Sequence, residues 1–228
     1  MILSIIVPVY NEEKTIIETL EKIKSNSSKL FKYEVIVIDD GSTDQSKKLL
    51  ESNKHLFDKL LVNETNRGKG FSVKKGLLGA SGSYIIFQDA DLEYDPSDIK
   101  KFEKIFLNFD ADGIVGSRFI YSDYTRSYNI LNKFGNKILT LVFNLLNNTT
   151  FTDIYSCYFA FKKKLLNANE LRAEGFDQHA EILSKVIRKG SKFYEVPINY
   201  NGRNHSEGKK IRAYHFFAVL LQIVRGKF

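Results

Sequence analysis

A single cysteine, Cys157, among 228 residues excludes an intrachain disulfide and fits a reducing compartment. No apolar run reaches the roughly 20 residues that a bilayer-spanning helix needs, so a soluble or membrane-peripheral protein is expected. The opening MILSIIVPVYN lacks a basic segment and passes directly into strand-like sequence, so no signal peptide is expected. Repeats, low-complexity tracts and linkers are missing too, which leaves one folded α/β-sized unit as the default. The four histidines are scattered without metal-ligand spacing, and no Ser-His-Asp or Cys-His arrangement stands out. The interleaved basic and aromatic face of a nucleic-acid binder is also lacking, so nucleic acid is not an expected partner.

What is present is an ordinary core-forming composition, 43% hydrophobic and 27% charged, with a net charge of +7 and a pI near 9.2. That balance favours an anionic partner such as a phosphorylated small molecule or an anionic membrane surface. Continuous or nearly continuous apolar runs at Leu3–Val7, Tyr33–Asp39, Leu60–Asn63, Tyr84–Phe87, Gly113–Ser117 and Lys192–Pro197 predict strands. Segments with helical spacing separate the first of them, at Thr15–Ser25, through Leu50, at Phe71–Leu78 and at Ser97–Leu107. This alternation predicts βαβ units and a mostly parallel central sheet. Ile130–Leu146 reads as a long amphipathic helix, Gly175–Lys189 as a helix carrying Glu181, and Ala213–Val224 as an almost wholly apolar one followed by Arg225 and Lys227. The last is too short to span a bilayer, but it is suited to packing on the core or lying in a membrane interface.

The stretch SYIIFQDADLEYD, from Ser83 to Asp95, organises the rest. A buried strand breaks into Asp89, Asp91 and Glu93 at every second position, and in extended backbone these three share one face. Their repulsion needs a cation or solvent to offset it, and Mg²⁺ or Mn²⁺ is the natural choice, with substrate phosphates and water completing the shell. The alternative is a solvated acidic turn. Other loops carry similar pairs of readings. Asn11 caps a helix or meets a ligand, and Asp40-Gly41-Ser42-Thr43-Asp44 is a turn with its cap or a set of ligand-holding carboxylates at a strand end. Asn66-Arg67-Gly68-Lys69-Gly70 is a basic surface loop or a phosphate cradle at a helix start, without the Gly-Lys-Ser/Thr of a Walker loop.

Taken in order, SIIVPVYNEE, VIVIDDGSTD, NRGKG, QDADLEYDP, Gly116-Ser117-Arg118, Thr152-Asp153, Gly175-Phe176…Glu181, EVPINY and RNHSEGKK resemble family-two glycosyltransferases of the GT-A fold. More narrowly, they resemble the dolichyl-phosphate mannosyltransferase-like and polyprenyl-phosphate sugar transferase branch. The resemblance implies a GT-A α/β fold, with helices on both faces of a mostly parallel sheet. It implies a nucleotide-sugar-binding half at 1–118, an acceptor half at 119–212 and an apolar C-terminal helix at 213–228. Pro8, Tyr10, Glu12 and Asp40 match positions that hold base and ribose, Lys69 falls in the nucleotide-binding set, and Asp89 and Asp91 match the pair engaging a divalent ion and diphosphate. Arg118, Arg203 and Lys209 match the cations around the phosphates, and Arg126 matches an acceptor loop. Glu93 stands where relatives often carry Gln, and Asp177-Gln178-His179 departs from the family pattern, which implies a different sugar or acceptor preference.

The implied activity is inverting, metal-dependent transfer of a hexose from a nucleotide-sugar of the GDP-mannose or UDP-glucose type. The acceptor is a polyprenyl phosphate at the cytoplasmic membrane face, reached through an anionic surface or an anchoring partner protein. The alternative acceptor is a glycan hydroxyl. A lipid phosphate needs no proton removed, only its charge balanced, whereas a hydroxyl needs a carboxylate base, for which Asp153 and Glu181 are the candidates.

Overall fold

The computed structural model describes residues 1–26, 28–126, 130–204, 210 and 215–227. Its strands are β1 (Ile2–Val9), β2 (Lys32–Asp39), β3 (Lys59–Val62), β4 (Tyr84–Phe87), β5 (Gly113–Ser117), β6 (Phe159–Lys162) and β7 (Phe193–Pro197). The helices are α1 (Ile16–Ser25), α2 (Ser46–Ser52), α3 (Lys69–Gly79), α4 (Ile99–Phe109), α5 (Ile130–Asn147), α6 (Gln178–Lys189) and α7 (His215–Lys227). All seven strands join one sheet in the order β3-β2-β1-β4-β6-β5-β7.

Pairing is parallel except where β6 runs antiparallel to both β4 and β5. Both residue parities of β1 are buried, Ile5 and Val7 on one face and Ile6 on the other, because helices cover both faces. On one side Gly76 lets α3 lie against the sheet: a Cβ there would come within 2.7 Å of Ile6 and 2.8 Å of Ile38. The buried Ile16, Leu20 and Ile23 of α1 recur at helical spacing, and each such side chain contributes roughly 1.5–3 kcal/mol on leaving water.

Two local expectations change. Asn11 does not cap α1; it adopts a left-handed φ of 51°, and its side-chain oxygen accepts from the Thr43 amide at 2.8 Å, tying the loop after β1 to the loop after β2. The aromatic run leading to Phe161 ends in β6, a strand that was not anticipated. It is buried along its whole length, so it shows no polar alternation, and its neighbours come from distant segments.

Candidate active site

From β1 the chain passes outward to β2 and β3, then returns to β4 on the other side of β1. Loops leaving the adjacent carboxyl ends of β1 and β4 therefore diverge, and such a switch point opens a crevice. A cavity of about 760 Å³ lies there, lined by Pro8, Tyr10, Glu12, Asp40, Lys69, Asp89, Asp91, Glu93, Arg118 and Arg203 among others. Ten residues singled out from sequence thus converge on one space. Lys209 lies outside the described residues.

The acidic stretch is a turn rather than an extension of the strand. β4 ends at Phe87, and Leu92 takes a left-handed φ of 59°, so the simple alternation of faces does not apply. Tyr158, just before β6, pins this turn by donating to the Gln88 side chain and to the Asp95 carbonyl at 2.8 Å. The carboxylates nevertheless crowd together. Burial pushes the pKa of Asp91 up to about 7, with the charges of Asp89 and Glu93 adding to it, even though the Arg203 Nη2 donates to Asp91 at 2.8 Å. Burial would raise Asp89 as well, but Lys69, 2.5 Å away, overrides it and holds Asp89 below the ordinary range.

A buried excess of negative charge is the environment a divalent cation relieves, so Asp89 and Asp91 fit a Mg²⁺ or Mn²⁺ ion. Among the described residues no group of three or more His, Cys, Asp or Glu side chains could cage a metal unaided. An ion held here would take further oxygens from ligand phosphates and water.

Cations from the segment after β7 close over this rim. Arg203 forks onto Glu12 through Nη1 at 3.0 Å and Nη2 at 3.1 Å, while Lys210 donates to Glu12 at 2.6 Å and to the Tyr10 carbonyl. Burial opposes ionisation of Glu12, yet these two cations depress its pKa. Glu93 holds the same segment, accepting from the Tyr200 hydroxyl at 2.8 Å and the Arg203 amide at 2.7 Å.

Several of the expected site residues already have partners in the fold. Asp40 lines the cavity, but its carboxylate already accepts from the Arg67 amide at 3.0 Å, the Gly68 amide at 2.9 Å and the Asn63 side chain at 2.7 Å, so it shapes the loop leading to Lys69. That loop is not an open phosphate cradle, because the Gly70 and Phe71 amides donate to the Glu174 carbonyl at 2.8 and 3.3 Å. Lys69 contributes through its side chain instead. Asp153 is fully buried and grips Arg118 in a two-pronged pair, 2.7 Å from Nε and 2.8 Å from Nη2. It holds that cation in place and is not among the residues lining the cavity. Glu181 lies outside the cavity lining, where its carboxylate accepts from the Arg172 and Ala173 amides at 3.0 and 2.9 Å. Arg126 is also outside it, and its Nη1 donates to the Gly202 carbonyl at 2.9 Å.

Further residues complete the walls. Tyr94, Tyr155, Cys157, Gln178, His179 and Tyr200 line the cavity, and so do Leu131, Phe134, Ile138 and Leu139 of α5 with Phe216 and Val219 of α7. Arg118 stacks 5.1 Å from the Tyr200 ring centre. The motif EVPINY pointed to Tyr200 without revealing its role. Burial lowers the pKa of His179 to about 4, with Lys69 adding to the effect.

Residues 4–169 match the family described as glycosyl transferase family 2. The chain belongs to that family. Curated relatives include a dolichol-phosphate mannosyltransferase of Pyrococcus furiosus, 30% identical over 99% of this chain and 63% of its own length. Another is an undecaprenyl-phosphate 4-deoxy-4-formamido-L-arabinose transferase of Salmonella choleraesuis, 26% identical over 90% of this chain and 62% of its own length. The chain therefore spans under two thirds of these two relatives. Among solved structures, glucosyl-3-phosphoglycerate synthase of Mycobacterium tuberculosis, crystallised with Mn²⁺ and uridine diphosphate, superposes with a TM-score of 0.74 at 19% identity, covering 98% of this chain and 79% of its own. TarS of S. aureus, crystallised with UDP-GlcNAc, gives a TM-score of 0.65 at 20% identity, over 99% and 66% of the two chains. The family-two chain thus has the expected GT-A fold with its mostly parallel sheet.

Proposed function

We propose that this chain transfers a hexose, with inversion, from a nucleotide-sugar to a polyprenyl phosphate. The observation that carries this reading is the mixed charged and apolar lining of the cavity. Asp89, Asp91, Lys69, Arg118 and Arg203 bring charge to its lining, and α5 and α7 bring apolar side chains to it. Pro8, Tyr10 and Glu12 are assigned to base and ribose, with Asp40 supporting the loop beside them. Lys69 and Arg203 neutralise the departing nucleoside diphosphate, and each must leave a carboxylate partner to do so. A divalent ion bound by Asp89 and Asp91 would supply further stabilisation of the leaving diphosphate. Arg118, held in place by Asp153, faces the acceptor phosphate, which is already anionic and needs no base. In this reading the half spanning 1–118 serves the donor and that spanning 119–212 the acceptor.

Transfer to a glycan hydroxyl is disfavoured because both candidate bases, Asp153 and Glu181, are committed to other partners. The names of the relatives support lipid phosphates as acceptors, and the metal-bound structural neighbours support a divalent ion. No helix among the described residues is long and apolar enough to cross a membrane. Exposed Ile130, Leu131, Phe134, Leu141 and Leu145 on α5, with Phe217 and Leu221 on α7, support peripheral docking on a bilayer, which this reading puts at the cytoplasmic face. The test is incubation with radiolabelled GDP-mannose or UDP-glucose, polyprenyl phosphate and Mn²⁺, followed by organic extraction. Label is expected in the organic phase, and label found only in water-soluble product overturns the assignment.

A further inference from the structure

The motif EVPINY puts Glu195 on β7, at the edge of the sheet beside β5 and across from Val115. Its Oε1 accepts three hydrogen bonds, all from one turn: the Thr152 amide at 2.8 Å, the Thr152 hydroxyl at 3.2 Å and the Asp153 amide at 3.3 Å. From that turn two branches lead to Arg118. In the first, the Asp153 carboxylate receives the Arg118 amide at 3.1 Å as well as Nε and Nη2 of its side chain. In the second, the Thr152 hydroxyl gives its proton to Glu195 and accepts from the Ser117 hydroxyl at 2.6 Å, and Ser117 Oγ in turn accepts from the Phe119 and Ile120 amides at 3.1 and 3.3 Å. An ionised carboxylate only accepts, so Glu195 sets the direction of the hydroxyls in this branch. Arg118 lines the cavity, whereas Glu195, Thr152, Asp153 and Ser117 do not. The cation is thus held from behind, and among the described residues its Nη1 keeps only a long contact, 3.4 Å from the Tyr94 hydroxyl.

Accepting the assignment of Arg118 to the acceptor phosphate, we propose that Glu195 is a positioning residue for acceptor recognition, fixing the Thr152-Asp153 turn and through it the direction in which Arg118 presents Nη1. A guanidinium is a planar fork, so its hold on a phosphate depends on orientation as well as charge. A displacement of about 1 Å that originates far from the reacting atoms can cost as much as a hundredfold in rate. Thr152 is exposed, so water can replace Glu195 at its amide and hydroxyl while the turn loses its fixed place. Loss of Glu195 therefore bears on the acceptor more than on the fold. Bracing of the edge strand alone would instead act on stability and on every substrate alike.

The test uses the full chain with polyprenyl phosphate in detergent micelles, polyprenol in the same micelles as the phosphate-free control, and UDP and GDP with Mn²⁺ for the donor side, with melting temperature measured alongside. Glu195→Ala is expected to weaken binding of the lipid phosphate about tenfold, while polyprenol and the nucleoside diphosphate that binds the intact chain stay within about twofold. In the transfer assay, KM for the lipid phosphate should rise and KM for the nucleotide-sugar should not. Glu195→Gln keeps a carbonyl able to accept the same three bonds and should bring affinity back to within about threefold of the parent. In an Arg118→Lys background the fork is already lost, so Glu195→Ala should there cost less than about twofold more. Equal losses for lipid phosphate and nucleoside diphosphate, a Gln variant no better than the Ala variant, or a full tenfold loss in the Lys background overturns the proposal while leaving the transferase reading intact. Should Glu195→Ala fail to fold, Thr152→Val decides: it removes the hydroxyl branch alone and is expected to weaken the lipid phosphate about threefold, and no loss overturns the proposal. An intact chain that binds polyprenyl phosphate no more tightly than polyprenol removes the acceptor reading and this proposal with it.

Discussion

At the amino-terminal rim of the sheet, Glu34 sits among more donors than a carboxylate needs. It accepts from the Ser4 hydroxyl at 2.5 Å, Lys59 at 2.8 Å, the Ser81 amide at 2.8 Å, the Ser81 hydroxyl at 2.7 Å and the Gly82 amide at 3.3 Å. Burial opposes its charge, yet Lys59, Ser4 and Ser81 together bring its pKa down to about 2. At the carboxyl-terminal rim, Asp91 shares its space with two more carboxylates, and burial together with their charges raises its pKa to about 7. One rim spends its charge on holding strands together, whereas the other crowds negative charge that a cation would relieve.

The largest effect that tests this contrast comes from Asp91→Asn. On the proposed reading, transfer should fall by about a hundredfold or more, because one of the two carboxylates that would hold the divalent ion against the leaving diphosphate is lost. Stability should move the other way. Asp91 has a folded pKa above its ordinary 3.8, so its ionisation destabilises the fold, fully so above pH 7 and not at all in acid. Without divalent metal near pH 8, the variant should therefore melt no lower than the parent. Added Mn²⁺ should raise the melting temperature of the parent and leave the variant unmoved; a drop in the variant's melting temperature would class Asp91 with Glu34.

Next in size is Asp153→Ala, also at the carboxyl rim but behind the cavity. Arg118 is only 10% exposed, and removing its partner strands a buried cation, at a cost of about 3–5 kcal/mol measurable by urea denaturation. A loss of activity without loss of stability would mean that Asp153 acts on substrate after all.

The two rims were unequally legible in the sequence. Runs such as YEVIVID and Gly113–Ser117 announced their strands, since a parallel sheet covered on both faces demands continuous apolar sequence. Asp89, Asp91 and Arg118 were picked out by residue type and motif order, and they do meet. The partners of Asp40, Asp153 and Glu181 were not readable, because the fold brings them in: for Asp40, amides 27 and 28 positions away, and for Asp153, Arg118 at 35. β6 was hidden for the same reason, being a short buried strand whose register exists only between β4 and β5. Glu34 gave no signal at all, as a lone acid within an apolar run whose donors come from β1, β3 and the Ser81-Gly82 turn.

Glu34→Gln should cost about 2 kcal/mol at neutral pH, by removing a charge that the rim is built to hold. Because the folded pKa lies below the ordinary 4.5, that contribution is complete above about pH 4.5 and drains away as pH falls toward 2. Parent and variant should thus converge in denaturation experiments at acid pH, and a constant difference across the range would assign the loss to shape instead of charge.

The smallest effect isolates which donor matters at that rim. Among the described residues Lys59 is the one formal cation on Glu34, but its side chain is 42% exposed, where an ion pair is screened and competes with water. Ser4, Ser81 and Gly82 come from elements the fold has already fixed, so they stabilise the carboxylate without further ordering. Lys59→Met should therefore cost under about 1 kcal/mol by urea denaturation and leave the acid titration of Glu34 largely in place. If Lys59→Met were as damaging as Glu34→Gln, the amino rim would rest on a single ion pair, and its contrast with the crowded carboxylates around Asp91 would reduce to the presence or absence of one lysine.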